Sequence, residues 1–231
     1  MNRYYSQTKT MMKKRAMNKK KLTAIIVAVA AVTIIFWKKI SLLGIVLVLL
    51  IGTLIARPEI TTDVSKYAEL RSGPSAKENY QDRWGMDESI WPEEITESME
   101  VKDYKMVYYD PWDAQYLGYL VVKYSDSEYK AEIDRLNAYK STEYKGYYDV
   151  TGEEDYELIA INADPYSGFI YAMADEDNTI IYAEQVFCNY FMDLKYEKYM
   201  PKEYFLDGFN ATQNSLYYKE KSKEMDAIAN E

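Results

Sequence analysis

The side chains behind most enzymatic chemistry are scarce in this chain. It has no histidine and one cysteine, Cys188. A Ser-His-Asp triad, a Cys-His nucleophile, a histidine zinc site and an intramolecular disulfide are therefore all excluded. What remains is carboxylate and aromatic. Asp175-Glu176-Asp177-Asn178 has the composition of a calcium loop, but an EF-hand needs Gly at position 6 and Glu at position 12. Counted from Asp175, those positions hold Ile180 and Val186, so the run reads better as a solvated hairpin turn in which Asn178 takes a positive φ. Residue types permit a glycosidase-like carboxylate pair, but all 37 acids lie beyond Arg57, so some close pairs are expected by chance. No glycines are spaced as a phosphate-binding loop. The expectation is a non-enzymatic protein with no catalytic, cofactor-binding or metal residues and no cofactor.

Aromatic residues are the compositional anomaly. There are 25 tyrosines, and Trp84, Trp91 and Trp112 stand among them as candidate binding residues. One reading is an aromatic surface for a protein partner, or for a glycan if the domain lies outside the cell. The favoured reading is structural, with tyrosines filling half-buried strand positions, rings packed and hydroxyls wet.

Those residues are carried by two unlike halves. Up to Arg57 there are 11 Lys/Arg and no acid; beyond it, 17 Lys/Arg face 37 Asp/Glu, a net of −20. Nucleic acid is not expected as a partner of so acidic a domain. The basic tail, residues 1–21, precedes two apolar runs, 22–37 and 40–56, separated by Lys38 and Lys39. Each run would make a helix of roughly 24 to 26 Å against a hydrocarbon core of about 30 Å. One continuous helix would leave two ammonium groups near the bilayer centre, at about 2.5–3.5 kcal/mol each. A helical hairpin avoids that cost, with both ends cytoplasmic by the positive-inside bias. If only one run spans, the acidic domain lies outside the cell. No small-x-small site favours cleavage after either run. Membrane lipid is thus the expected first partner.

Beyond the runs, residues 57–95 read as a linker that becomes ordered as it meets the domain, with Ser72-Gly73-Pro74-Ser75 as turn chemistry and too few apolar positions over Asp63 to Arg71 to insist on a short helix there. An acidic α+β domain is expected over 96–209, able to fold on its own, followed by a polar tail, 210–231, as frayed helix or disorder. Alternation predicts strands at 101–109 and 116–124, broken by Asp110-Pro111-Trp112-Asp113. Ser125-x-x-Glu128 is a capping box for a helix over 126–139 that buries Tyr129, Ile133 and Leu136. Strands at 156–162, 168–174 and 179–187 form a meander. A short strand is expected at 146–150 and a weak helix at 191–200. The fold class is α+β, a small, largely antiparallel sheet with one packed helix after a transmembrane helix or hairpin.

The stretches Trp84-Gly85-Met86-Asp87-Glu88-Ser89-Ile90-Trp91-Pro92, Tyr108-Tyr109-Asp110-Pro111-Trp112-Asp113, Tyr124-Ser125-Asp126-Ser127-Glu128-Tyr129 and Phe187-Cys188-Asn189 resemble a loose group of uncharacterised membrane-anchored proteins of Gram-positive bacteria. The resemblance covers about 84–209 and implies no activity. Together these features predict a membrane-anchored interaction or scaffolding module, with an extracytoplasmic ligand- or glycan-binding domain as the alternative.

Overall fold

The computed structural model describes residues 25–29, 57–71, 77–80, 83–175 and 177–230. The chain divides into two compact units, residues 56–225 and residues 1–55 with 226–231. In the latter, residues 25–29 are helical, with Ile25, Ile26, Val27 and Val29 exposed. The basic tail and the rest of both apolar runs lie outside the described residues, and so do the expected membrane spans. Among the described residues no helix is long and apolar enough to cross a membrane.

The unit 56–225 is α+β and is built on a six-stranded, wholly antiparallel sheet. Its strands are β1 (Glu59–Thr61), β2 (Glu100–Tyr109), β3 (Gln115–Lys123), β4 (Glu157–Asp164), β5 (Gly168–Ala174) and β6 (Thr179–Val186), in the order β1-β2-β3-β6-β5-β4. The expected hairpin and meander are both present, and they join where β3 pairs with β6 from Tyr116↔Val186 to Lys123↔Thr179. The helices are α1 (Tyr67–Arg71), α2 (Asp126–Asn137) and α3 (Leu216–Ala229). Helix α2 starts at its capping box, where Glu128 accepts from the Ser125 N–H at 3.4 Å and the Ser125 hydroxyl at 2.6 Å. Its Leu136 is fully buried, and Tyr129 and Ile133 pack partly buried against the same core. Asn178 turns β5 into β6 at φ 57°, and its amide donates to Asp126 at 2.6 Å.

Both faces of the sheet are covered. In β6, Ile180, Tyr182 and Val186 join one core while Ile181 and Ala183 join the other. Strand β5 is buried along its whole length and β3 along all but its last residue, so these strands read as continuous apolar runs and not as alternation. The two covers change two expectations. Residues 57–95 are not a linker: β1 pairs with β2, and Tyr67, Leu70, Tyr80, Ile90 and Trp91 are buried on one face. The polar tail contains α3, whose Tyr217 is buried. The cover made by residues 57–95 consists of 3-10 turns and the five-residue α1, which have no sustained period for a pattern reading to catch.

Two smaller elements also differ from expectation. Residues 146–150 form a 3-10 turn at Tyr147–Asp149, not a strand. Tyr148 and Asp149 take φ of 50° and 64°, which drives the Tyr148 ring fully into the core. Residues 191–200 hold only a 3-10 turn at Tyr196–Lys198, because Phe191, Met192, Leu194, Tyr196 and Met200 all turn inward, more apolar side chains than one helix face can present to a sheet.

Candidate functional site

The most polar place in the interior is the middle of β6. Register pairs Glu184 with Gly118 of β3, which in turn pairs with Met106 of β2. A Cβ on Gly118 would fall 2.5 Å from Met106 Sδ and 3.2 Å from Glu184 Oε1, so the glycine makes the room that the carboxylate occupies. Glu184 is fully buried. Its Oε2 accepts from Arg71 Nη1 at 2.9 Å and Arg83 Nε at 3.1 Å, and both guanidiniums are themselves buried. Glu88 closes the cluster, with Oε1 2.7 Å from Arg83 Nη1 and Oε2 3.6 Å from Arg71 Nη2. Two cations and two carboxylates make it neutral, which is how buried charge is tolerated.

Local structure delivers both arginines. Arg71 ends α1 and lies 3.7 Å over the Trp91 ring, a cation–π contact in a dry setting. Arg83 and Trp84 take φ of 31° and 55°, followed by Gly85 at 76°. Left-handed backbone at two non-glycine residues is costly unless its surroundings hold it. Here it sends the Arg83 side chain inward, where it also donates to the Tyr80 carbonyl.

Burial alone would push the Glu184 carboxyl up, but Arg71 and Arg83 outweigh it and hold the group below the ordinary glutamate range. Glu88 moves the other way: burial raises it, and the charge of Glu184 adds to that, against the pull of both arginines. Tyr104 beside them is raised by burial, and its hydroxyl has no hydrogen-bond partner among the described residues. A sealed carboxylate kept ionised by two arginines acts as a clamp between the sheet and residues 67–91.

A second set of bonds holds the same segment to α2. Tyr124 and Tyr182 share a hydroxyl hydrogen bond at 2.8 Å, and Tyr182 donates to Glu132 at 2.6 Å. Arg135 binds both oxygens of Glu132 and donates to the Ser89 and Ile90 carbonyls at 2.7 Å each. Tyr139 reaches Asp87 at 3.0 Å.

The three candidate tryptophans occupy different settings. Trp91 is a core residue; its indole N–H points at the Ala183 carbonyl, 3.4 Å away. Trp84 is partly buried and donates to the Ala114 carbonyl at 2.8 Å, buttressing the loop between β2 and β3. Trp112 sits on that loop and is 66% exposed. The fold thus brings Trp84 and Trp112 to one loop and takes Trp91 elsewhere. The tyrosine rings pack in both cores, as the structural reading expected, but many, such as Tyr67, Tyr148 and Tyr217, are buried and lie off the strands, not at half-buried strand positions. The arginine–glutamate clamp was missed by sequence reasoning, although a glutamate inside Ile180-Ile181-Tyr182-Ala183-Glu184-Gln185-Val186-Phe187 is a visible demand for a buried cation.

Among the described residues no group of three or more Cys, Asp or Glu is placed to hold a metal ion. No protein-family model, no curated protein and no solved structure matches the chain.

Proposed function

We propose that this chain is a membrane-anchored, non-enzymatic interaction module, in which residues 22–37 and 40–56 form a helical hairpin and hold the acidic domain at the cytoplasmic face. The observation that carries this reading is the shortness of the connection. Only Arg57 and Pro58 separate the second apolar run from β1, a reach of about 7 Å. A domain fastened so directly is confined to the bilayer surface, where it can present a protein-binding face without a flexible spacer. The most polar interior cluster supports a non-enzymatic role, since its sealed carboxylate is used as a clamp. A net of −20 beyond Arg57 argues against nucleic acid and leaves membrane lipid and a protein as the partners.

A second reading, an extracytoplasmic ligand- or glycan-binding domain, draws support from the exposed Trp112 and its neighbour Trp84. Sidedness separates the two. In a Cys188→Ser background, a cysteine at position 39 should react with an impermeant thiol reagent from outside intact cells, and one at the exposed position 220 should not. Labelling at 220 from outside would overturn the hairpin and favour the glycan reading. Release of the full chain from membranes by alkaline wash would overturn both.

A further inference from the structure

Outside residues 25–29, the exposed large apolar side chains of the described residues are Ile60, Trp112 and Leu216, at 52%, 66% and 69% exposure. Ile60 and Trp112 belong to one end of the sheet, and Leu216 adjoins a residue that reaches it. Register fixes that end: Glu59 pairs with Tyr108, Tyr108 with Tyr116, Tyr116 with Val186 and Val186 with Gly168. Ile60 follows Glu59, Trp112 is in the loop after Tyr109, and Leu216 precedes Tyr217, whose hydroxyl donates to the Pro165 carbonyl in the turn before Gly168. This is also the end at which the chain enters the fold through Arg57 and Pro58.

We infer that this end of the domain seats on the lipid bilayer, with Trp112 entering the headgroup region as an interfacial anchor. The inference rests on the reading that residues 40–56 span the membrane, and it adds an orientation that the reading does not supply. Trp112 is held in place by its loop. Trp84 bonds the Ala114 carbonyl, Gln115 ties the start of β3 to Asp193 at 3.0 Å and to the Leu194 N–H at 3.1 Å, and Tyr108 and Tyr116, on the strands either side of the loop, pack tilted or edge-on against each other and Tyr80 at 5.3 to 5.7 Å. An indole held outward on such a support meets the preference of tryptophan for the membrane–water boundary. Asp110 and Asp113 flank the indole, so the occupant is a zwitterionic surface and not an anionic one, which would need basic residues there.

The test uses the full chain in nanodiscs of phosphatidylcholine, with and without bromine on the acyl chains. The chain has four tryptophans, and Trp37 lies in the first apolar run, so its quenching reports the span independently. Trp112→Phe should remove a bromine-quenched component of roughly a quarter of the emission, and Trp37→Phe another, with circular dichroism unchanged. If Trp37→Phe removes its component but Trp112→Phe does not, and iodide in the water quenches Trp112, the domain does not seat on lipid and the loop is left to a soluble glycan or protein. If neither substitution alters bromine quenching, the membrane reading itself has failed.

Discussion

The two faces of the sheet are closed by different chemistry, although the residues that distinguish them are neighbours in β6. Glu184 points into the face covered by residues 67–91 and meets two arginines. Gln185 points into the other face, where its amide donates to the Tyr171 hydroxyl at 2.8 Å and to Met200 Sδ at 3.6 Å. That second face is filled by an aromatic cluster, with Tyr148 edge-on to Phe169 and Phe187 at 5.9 and 5.0 Å and Phe205 stacked on Phe209 at 5.7 Å. Aromatic packing tolerates small readjustments, whereas a buried carboxylate leaves its two cations nowhere else to go. The first face is therefore a lock with a single register, made by the segment nearest the apolar runs. The second is an ordinary core with a polar insertion.

The largest effect should come from removing the lock's whole cover. Residues 96–209 alone, the span that the sequence marks as a domain, lose β1, both arginines, Trp91 and the rings of Tyr67 and Tyr80. That face of β3, β5 and β6 would keep only α2 over it, with Glu184 left without its arginines, and the other face would lose Ala211 and Tyr217. This fragment should show no cooperative thermal transition, while 57–225 should show one, measured by calorimetry. A cooperative 96–209 would mean that residues 57–95 and 210–225 are both dispensable.

Why the sequence misplaced that boundary is a matter of periodicity. Strands of alternating character and a capped amphipathic helix announce themselves, so β2 and α2 were legible to within a residue or two, and the 168–174 strand was legible as an apolar run ended by the turn at 175–178. Residues 57–95 place single large side chains, Tyr67, Tyr80 and Trp91, from turns with no repeat, and their purpose is visible only once the strands they cover are recognised as apolar on both sides. Phe169-Ile170-Tyr171-Ala172-Met173 was such a signal, since a strand with one wet face would alternate. The clamp was legible in half: Glu184 announces a buried partner, but nothing local to Arg71 or Arg83 names them. Of the candidate tryptophans, proximity of Trp84 to Trp112 follows from tertiary folding alone.

A smaller effect separates the two neighbours directly. Glu184→Gln leaves both guanidiniums buried with only Glu88 to balance them, and should cost about 3–5 kcal/mol at neutral pH. Gln185→Leu removes a neutral hydrogen bond and leaves the Tyr171 hydroxyl still donating to the Tyr204 carbonyl, so it should cost about 1–2 kcal/mol. Urea unfolding of 57–225 gives both values. Equal costs would erase the distinction between lock and core.

The smallest effect lies inside the lock and is read by pH. Glu184 is held below the ordinary glutamate range, so its contribution is present at neutral pH and is lost as pH falls through its folded value. Glu88 is raised, because burial disfavours its charge more than Arg83 and Arg71 support it. Its folded form therefore binds a proton more tightly than its unfolded form, and the stability it contributes is present at low pH and lost as pH rises through its folded value. Glu88→Gln keeps an acceptor for the Arg83 Nη1 bond and removes the titratable charge, while Glu184 still binds both guanidiniums. At about pH 7 the variant should lie within about 1 kcal/mol of the parent, as befits a side chain still 26% exposed. As pH falls toward about 4, the parent should gain on the variant, because only the parent takes up the proton that folding favours. Urea unfolding at stepped pH measures the gap. A parent that instead gains on Glu88→Gln as pH rises would show that the arginines outweigh burial at Glu88 as they do at Glu184, and the two carboxylates would then share one role.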